Sequence, residues 1–110
     1  MNSAELRRNI RVPLRCAARI LVPGRGPIEA RTIDISYGGM SVAAPANPRP
    51  GTVFAIQFSF PAQQREAIAF SSVVRVVHSS FYPTENAFRI GLYFVEMSEA
   101  AKKQLAIFLV

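Results

Sequence analysis

The sequence holds one histidine, one cysteine and no tryptophan, and only 18% of its 110 residues are charged. Each shortage excludes something. With Cys16 alone, no internal disulfide can form, and a cysteine within an alternating apolar segment reads as a small core residue. His78 reads as a structural or solvent-facing residue at a strand end. His78 and Cys16 lie far apart in sequence and match no metal-ligand spacing. The acidic residues are few and scattered, so no pair of carboxylates is set up for acid–base work. Nothing matches the phosphate loop Gly-x-x-x-x-Gly-Lys-Ser/Thr, and Ser36 has no obvious base. The chain therefore reads as a binding protein and not as an enzyme. Long apolar runs are missing too. Met1–Arg8 carries no signal-like apolar stretch. Ala106–Val110 is far shorter than the roughly 20 residues that cross a bilayer. The expectation is a cytoplasmic protein without membrane insertion.

Half of the residues are hydrophobic, enough for one packed core in a chain of 110. The formal charge is +6, which favours an anionic partner. Eleven of the 13 basic residues are arginine. A guanidinium offers a planar fork to phosphates and base edges that a lysine ammonium does not.

Apolar residues alternate through most of the chain, which is strand behaviour. Leu14–Val22 is expected as the first strand, with Leu14, Cys16, Ala18 and Ile20 on one face. The breaker-rich segment Pro23–Pro27 then makes a hairpin loop. Ile28–Ser36 returns as a second strand and Met40–Ala43 forms a short third. Thr52–Phe60 gives the clearest alternation, with Phe54, Ile56, Phe58 and Phe60 on one side. Pro61–Glu66 turns into a strand over Ala67–His78. Ser79–Glu85 reads as a loop, and Ala87–Val95 points Phe88, Ile90, Leu92 and Phe94 inward, with Arg89, Gly91 and Tyr93 outward. Ser98 is a good N-cap, and Ala101, Leu105, Phe108 and Leu109 form an apolar helical stripe. That helix either lies across an open end of the sheet or packs against a partner. Six strands and one terminal helix predict an all-β, six-stranded antiparallel barrel or sandwich, in one domain.

Two segments carry candidate chemistry. In Arg7-Arg8-Asn9-Ile10-Arg11-Val12-Pro13, Arg7 and Arg11 share a face whether the backbone is helical or extended. Pro13 disfavours helix at Val12. In Thr32–Gly39, alternation puts Thr32, Asp34 and Ser36 on one face and Ile33 and Ile35 on the other. Gly38 and Gly39 then permit a sharp bend and close approach to bare backbone.

Together, Arg7-Arg8-x-x-Arg11 followed by Asp34-x-Ser36-x-x-Gly39 resembles the two-part signature of PilZ domains, bacterial receptors for cyclic di-GMP. Ile90-Gly91-Leu92-Tyr93-Phe94 and the terminal helix are also similar to that family, so the likeness covers essentially the whole chain. The resemblance implies a six-stranded, Greek-key-like barrel over residues 14–110 and a flexible arginine arm over residues 1–13 that folds onto the ligand. It implies that Arg7, Arg8 and Arg11 hold phosphates and guanine edges. Asp34 would accept from guanine N1–H and N2–H, with Ser36 hydrogen-bonding nearby. Gly38 and Gly39 form the turn, Gly39 leaving room for the purine. No resident cofactor or metal is implied beyond the ligand itself. Leu6, where some relatives carry a basic residue, leans toward a single ligand per protomer. The output would pass to a downstream protein, in motility, biofilm or related signalling, from a monomer or homodimer. Two other readings compete. A small basic barrel can bind single-stranded nucleic acid, but only Tyr37, Tyr82 and Tyr93 are expected as outward rings. A ligand-independent adaptor is the other, and the intact signature speaks against it.

Overall fold

The computed structural model describes residues 10–61 and 68–109. Its strands are β1 (Val12–Pro13), β2 (Ala17–Leu21), β3 (Ile28–Ile35), β4 (Gly39–Ala44), β5 (Val53–Phe60), β6 (Ile68–Tyr82) and β7 (Ala87–Glu96). A single 3-10 turn, Pro83–Glu85, precedes β7, and helix α1 (Glu99–Leu109) ends the described chain.

Every ladder is antiparallel. The order β3-β2-β5-β6-β7-β4 closes because β4 pairs back onto β3. Six strands thus make a closed barrel, and the two-residue β1 adds to its rim on β3. The step from β4 to β5 leads to a non-neighbouring strand, as in a Greek key.

Alternation explains the barrel wall. In β5, Phe54, Ile56, Phe58 and Phe60 are buried while Val53, Gln57 and Ser59 face outward. Phe58 stacks on Phe70 at 4.9 Å, and Phe60 meets Phe70 edge-on at 5.4 Å. Phe70 also contacts Phe94. Full burial of each such ring contributes about 1.5–3 kcal/mol. Helix α1 continues this cluster. The Ala101 amide donates to Ser98 Oγ at 3.1 Å, so Ser98 caps the helix as expected. Ala101 and Leu105 are buried, and Phe108 lies 4.8 Å from Phe60. Of the two expected arrangements, the helix takes the one on the barrel.

The expected elements differ from the observed ones in four places. The first strand is interrupted. The Leu14 amide bonds to the Ile33 carbonyl, and the Cys16 amide bonds to Thr32 Oγ1 at 2.9 Å instead of to a ladder carbonyl. Thr32 also donates to the Leu14 carbonyl at 2.6 Å. The second difference has the same origin: a bulge between Thr32 and Asp34 shifts the register of β3 on β4. Thr32 is therefore buried, paired with the core residue Val42, and does not share the outward face of Asp34. Ile35 lies in the core as expected, and Ile33 is buried outside the main cluster. Thirdly, β6 does not stop at His78. Ser79, Ser80, Phe81 and Tyr82 pair with Ile90, Arg89, Phe88 and Ala87, so most of the expected loop is strand. Asn86, with φ of 50°, makes the left-handed turn that closes this hairpin. Finally, His78 sits within β6 rather than at its end, exposed, with its ring over Gly91. The Pro61–Glu66 turn falls almost wholly outside the described residues.

Thr32 supplies a measurable test of this wrinkle. Thr32→Val removes an acceptor for the Cys16 amide and a donor to the Leu14 carbonyl without changing shape. It is expected to cost about 1–3 kcal/mol in denaturant unfolding, with Thr32→Ser costing less.

Candidate functional site

Asp34 is the single aspartate of the chain. It stands near the end of β3, opposite Pro13 of β1 on one side and Ser41 of β4 on the other. Its Oδ1 accepts from Arg11 Nη1 at 2.7 Å, and its Oδ2 accepts from Arg89 Nη2 at 3.2 Å. The carboxylate is 15% exposed, so it is accessible yet partly sheltered.

The two guanidiniums come from unlike places. Arg11 lies just before β1. The β1–β3 ladder, Val12 on Ile35 and Pro13 on Asp34, sets it against the carboxylate. Arg89 belongs to β7, held between Ala43 of β4 and Ser80 of β6. Ser41 and Ala43 separate it from Asp34, and their small side chains leave the path across β4 open. Tyr82, opposite Ala87, is a diagonal neighbour of Arg89 on the same face. The Arg89 guanidinium lies 5.8 Å from the Tyr82 ring centroid, within cation–π range. Glu85, in the turn after β6, reaches Arg15 at 3.5 Å and ties the hairpin tip to the segment following β1.

Ser36 and the two glycines build the turn. Ser36 is 3% exposed, and its Oγ donates to the Gly39 carbonyl and accepts from the Gly39 amide, both at 3.2 Å. The Ser36 amide also donates to the Gly39 carbonyl at 2.8 Å. The Gly38 carbonyl accepts from the Phe94 amide at 3.0 Å. A Cβ on Gly39 would stand 2.0 Å from the Leu92 carbonyl oxygen. Ser36 is buried with its hydroxyl bonded within the turn, because a chain reversing this tightly leaves backbone groups that need a local partner. The space that Gly39 leaves free of a Cβ is occupied by the β7 backbone.

Arg11 and Asp34 are thus brought together as the sequence suggests, and Ser36, Gly38 and Gly39 form the adjoining turn. Arg7 and Arg8 lie outside the described residues. Arg89 was not anticipated as part of the cluster, although its outward direction was. Tyr37 and Gly38 line a cleft of about 580 Å³ that they share with Met97 and the helix residues Lys102 and Leu105. Chemically, a carboxylate offers about four lone-pair sites; two are in use here. It can still accept a pair of N–H donors, and the cations beside it favour a ligand that also carries negative charge.

Residues 5–109 match the PilZ domain family. No curated protein matches the chain in sequence. Solved structures share its fold at low identity. The inhibitor of motility MotI/DgrA of Bacillus subtilis superposes with a TM-score of 0.78 at 15% identity, covering 91% of this chain and 47% of that one. YcgR of Escherichia coli, solved in complex with c-di-GMP, gives 0.72 at 18% identity, covering 91% of this chain and 42% of that one. The PilZ domain of YcgR with c-di-GMP gives 0.69 at 17% identity, covering 91% and 86%. The chain spans less than half the length of the first two. With nearly its whole length matched, on a closed barrel whose rim carries the arginine and aspartate of the two-part signature, this chain belongs to the PilZ domain family.

Proposed function

We propose that the chain is a receptor for cyclic di-GMP that binds at the Asp34 rim through its arginine arm and passes the signal to a protein partner. The observation that carries this reading is the Arg11–Asp34 pair at 2.7 Å. It sets the root of the arm beside a carboxylate suited to the N1–H and N2–H donors of guanine. Arg7, Arg8 and Arg11 take the phosphates and guanine edges, where a guanidinium can pair bidentately or stack. Asp34 reads the base. Ser36, Gly38 and Gly39 act on the ligand by fixing the turn beside it. The solved c-di-GMP complex of YcgR, of like fold, supports the choice of ligand. Immobilising the arm costs about 1–2 kcal/mol per ordered residue, so the charge-assisted contacts must exceed that. An ordered arm presents a new surface to a partner, and the fold shared with an inhibitor of motility makes motility or biofilm control the first place to look for one.

Calorimetry tests the ligand. Cyclic di-GMP is expected to bind and cyclic di-AMP to bind much more weakly. Asp34→Ala is expected to lose about tenfold or more in cyclic di-GMP affinity, as one charged acceptor is removed, and to narrow the gap between the two nucleotides. A wild-type protein that releases no heat with cyclic di-GMP, under conditions where it is folded, overturns the proposal.

A further inference from the structure

We infer that Arg89 is a positioning residue of the ligand site, which keeps Asp34 oriented for guanine while Arg11 changes partner. This rests on the cyclic di-GMP reading above and extends it to β7, outside both halves of the signature.

Both guanidiniums hold the same carboxylate, but only one is free to leave. Arg11 precedes β1, a two-residue strand paired on one side, and its side chain is 49% exposed. Arg89 lies inside a ten-residue strand with neighbours on both sides, and its side chain is 37% exposed. Tyr82 also lies beneath its guanidinium. When phosphate or purine draws Arg11 away, Asp34 loses its Oδ1 partner. Without Arg89 the carboxylate would then rotate freely about its last torsion, which is broad and weakly held. A guanine edge needs both oxygens in one plane, facing N1–H and N2–H. Arg89 occupies one lone pair of Oδ2 and leaves the other open, so it can fix that plane without competing for the base. Tyr82 prepares Arg89 for this role, since a guanidinium already resting on a ring loses less side-chain freedom when it bonds.

A role acting through Asp34 differs from a simple phosphate contact in one respect: it affects guanine more than adenine. The test is calorimetry of the full chain with cyclic di-GMP and with cyclic di-AMP, for wild type, Arg89→Ala, Arg89→Lys and Tyr82→Leu, with a thermal melt of each. Arg89→Ala is expected to lose about tenfold in cyclic di-GMP affinity, with a smaller loss for cyclic di-AMP. Arg89→Lys should restore part of the loss, and Tyr82→Leu should lose a few-fold. If Arg89→Ala keeps both the affinity and the preference of the wild type, the inference fails while the ligand assignment stands. Equal losses for the two nucleotides also overturn it and leave Arg89 as a general phosphate contact. Should the alanine variant melt early, Arg89→Lys and Tyr82→Leu decide the matter by the same ratio. A wild type without affinity for cyclic di-GMP removes the ligand assignment and this inference together.

Discussion

Arg11→Ala is expected to abolish cyclic di-GMP binding at micromolar ligand while leaving the melting temperature close to that of the wild type. Two effects of opposite sign meet in this variant. In the free protein Arg11 is paired with Asp34, so its removal frees the carboxylate and by itself favours the ligand. That pair has one half-exposed member, and such ion pairs contribute about 0–1 kcal/mol. The ligand contacts act the other way. Each hydrogen bond to a charged group is worth about 1.5–3 kcal/mol, and a guanidinium can make two to a phosphate or a purine edge. The loss exceeds the gain by several kcal/mol, and each 1.4 kcal/mol is tenfold in affinity. Calorimetry and a thermal melt on the same sample check both halves. A variant that binds as tightly as the wild type would remove Arg11 from the site, and one that melts many degrees lower would make it a structural residue.

Gly39→Ala is expected to have the largest effect on folding. Its Cβ would stand 2.0 Å from the Leu92 carbonyl oxygen and 3.1 Å from the Leu92 carbonyl carbon. Both are backbone atoms of the strand that pairs with β4, so relief requires parting β4 from β7 or rebuilding the turn. Overpacking costs about 1–3 kcal/mol where side chains can adjust, and more where they cannot. Total stability is only about 5–15 kcal/mol for a domain, so a loss above ~3 kcal/mol should be visible as a large drop in denaturant midpoint or in soluble yield. Gly91→Ala is the control. There the obstruction is the His78 ring at 2.4 Å, a side chain that can swing into solvent. Neither glycine has a positive φ, so alanine is tolerated by the backbone at both. The control is expected to lose less than about 1 kcal/mol, as an accommodated change near the surface does. Equal stability of the two variants would contradict the close approach of β7 to the turn.

These residues also mark how far the sequence could be read. Period-two alternation in β5 named the inward phenylalanines correctly, and the Ser98 cap set the start of the helix, because both signals are local. Arg11 and Asp34 were legible as a pair through the family resemblance, and the β1–β3 ladder brings them together. What failed was decided between strands. The bulge at Ile33 depends on how β3 meets β4, and Thr32 turns inward there because Leu14 and Cys16 offer partners for its hydroxyl. Ser79-Ser80-Phe81-Tyr82 before Pro83 looks like loop sequence, yet pairing with β7 makes it strand. Alternation set Ser36 on the face of Asp34, but the turn draws its hydroxyl to Gly39 and buries it. Arg89 is 55 residues from Asp34. Alternation said it points outward, but nothing along the chain said which of several outward arginines meets the carboxylate.

The closed barrel restricts how any partner protein can recognise this domain. Each of its six strands already has a neighbour on both sides. Recognition by strand addition uses unpaired backbone groups at a sheet edge, and among the described residues the wall presents them on β6 beyond Val76, where that strand pairs with β7 alone. The outer side of β1, two residues long, is the other such edge. A partner therefore reads side chains on the outer surface, or adds a strand at one of these two short edges. At β1 that pairing would lie beside the Arg11–Asp34 contact, so a strand added there and any change at that contact would be coupled.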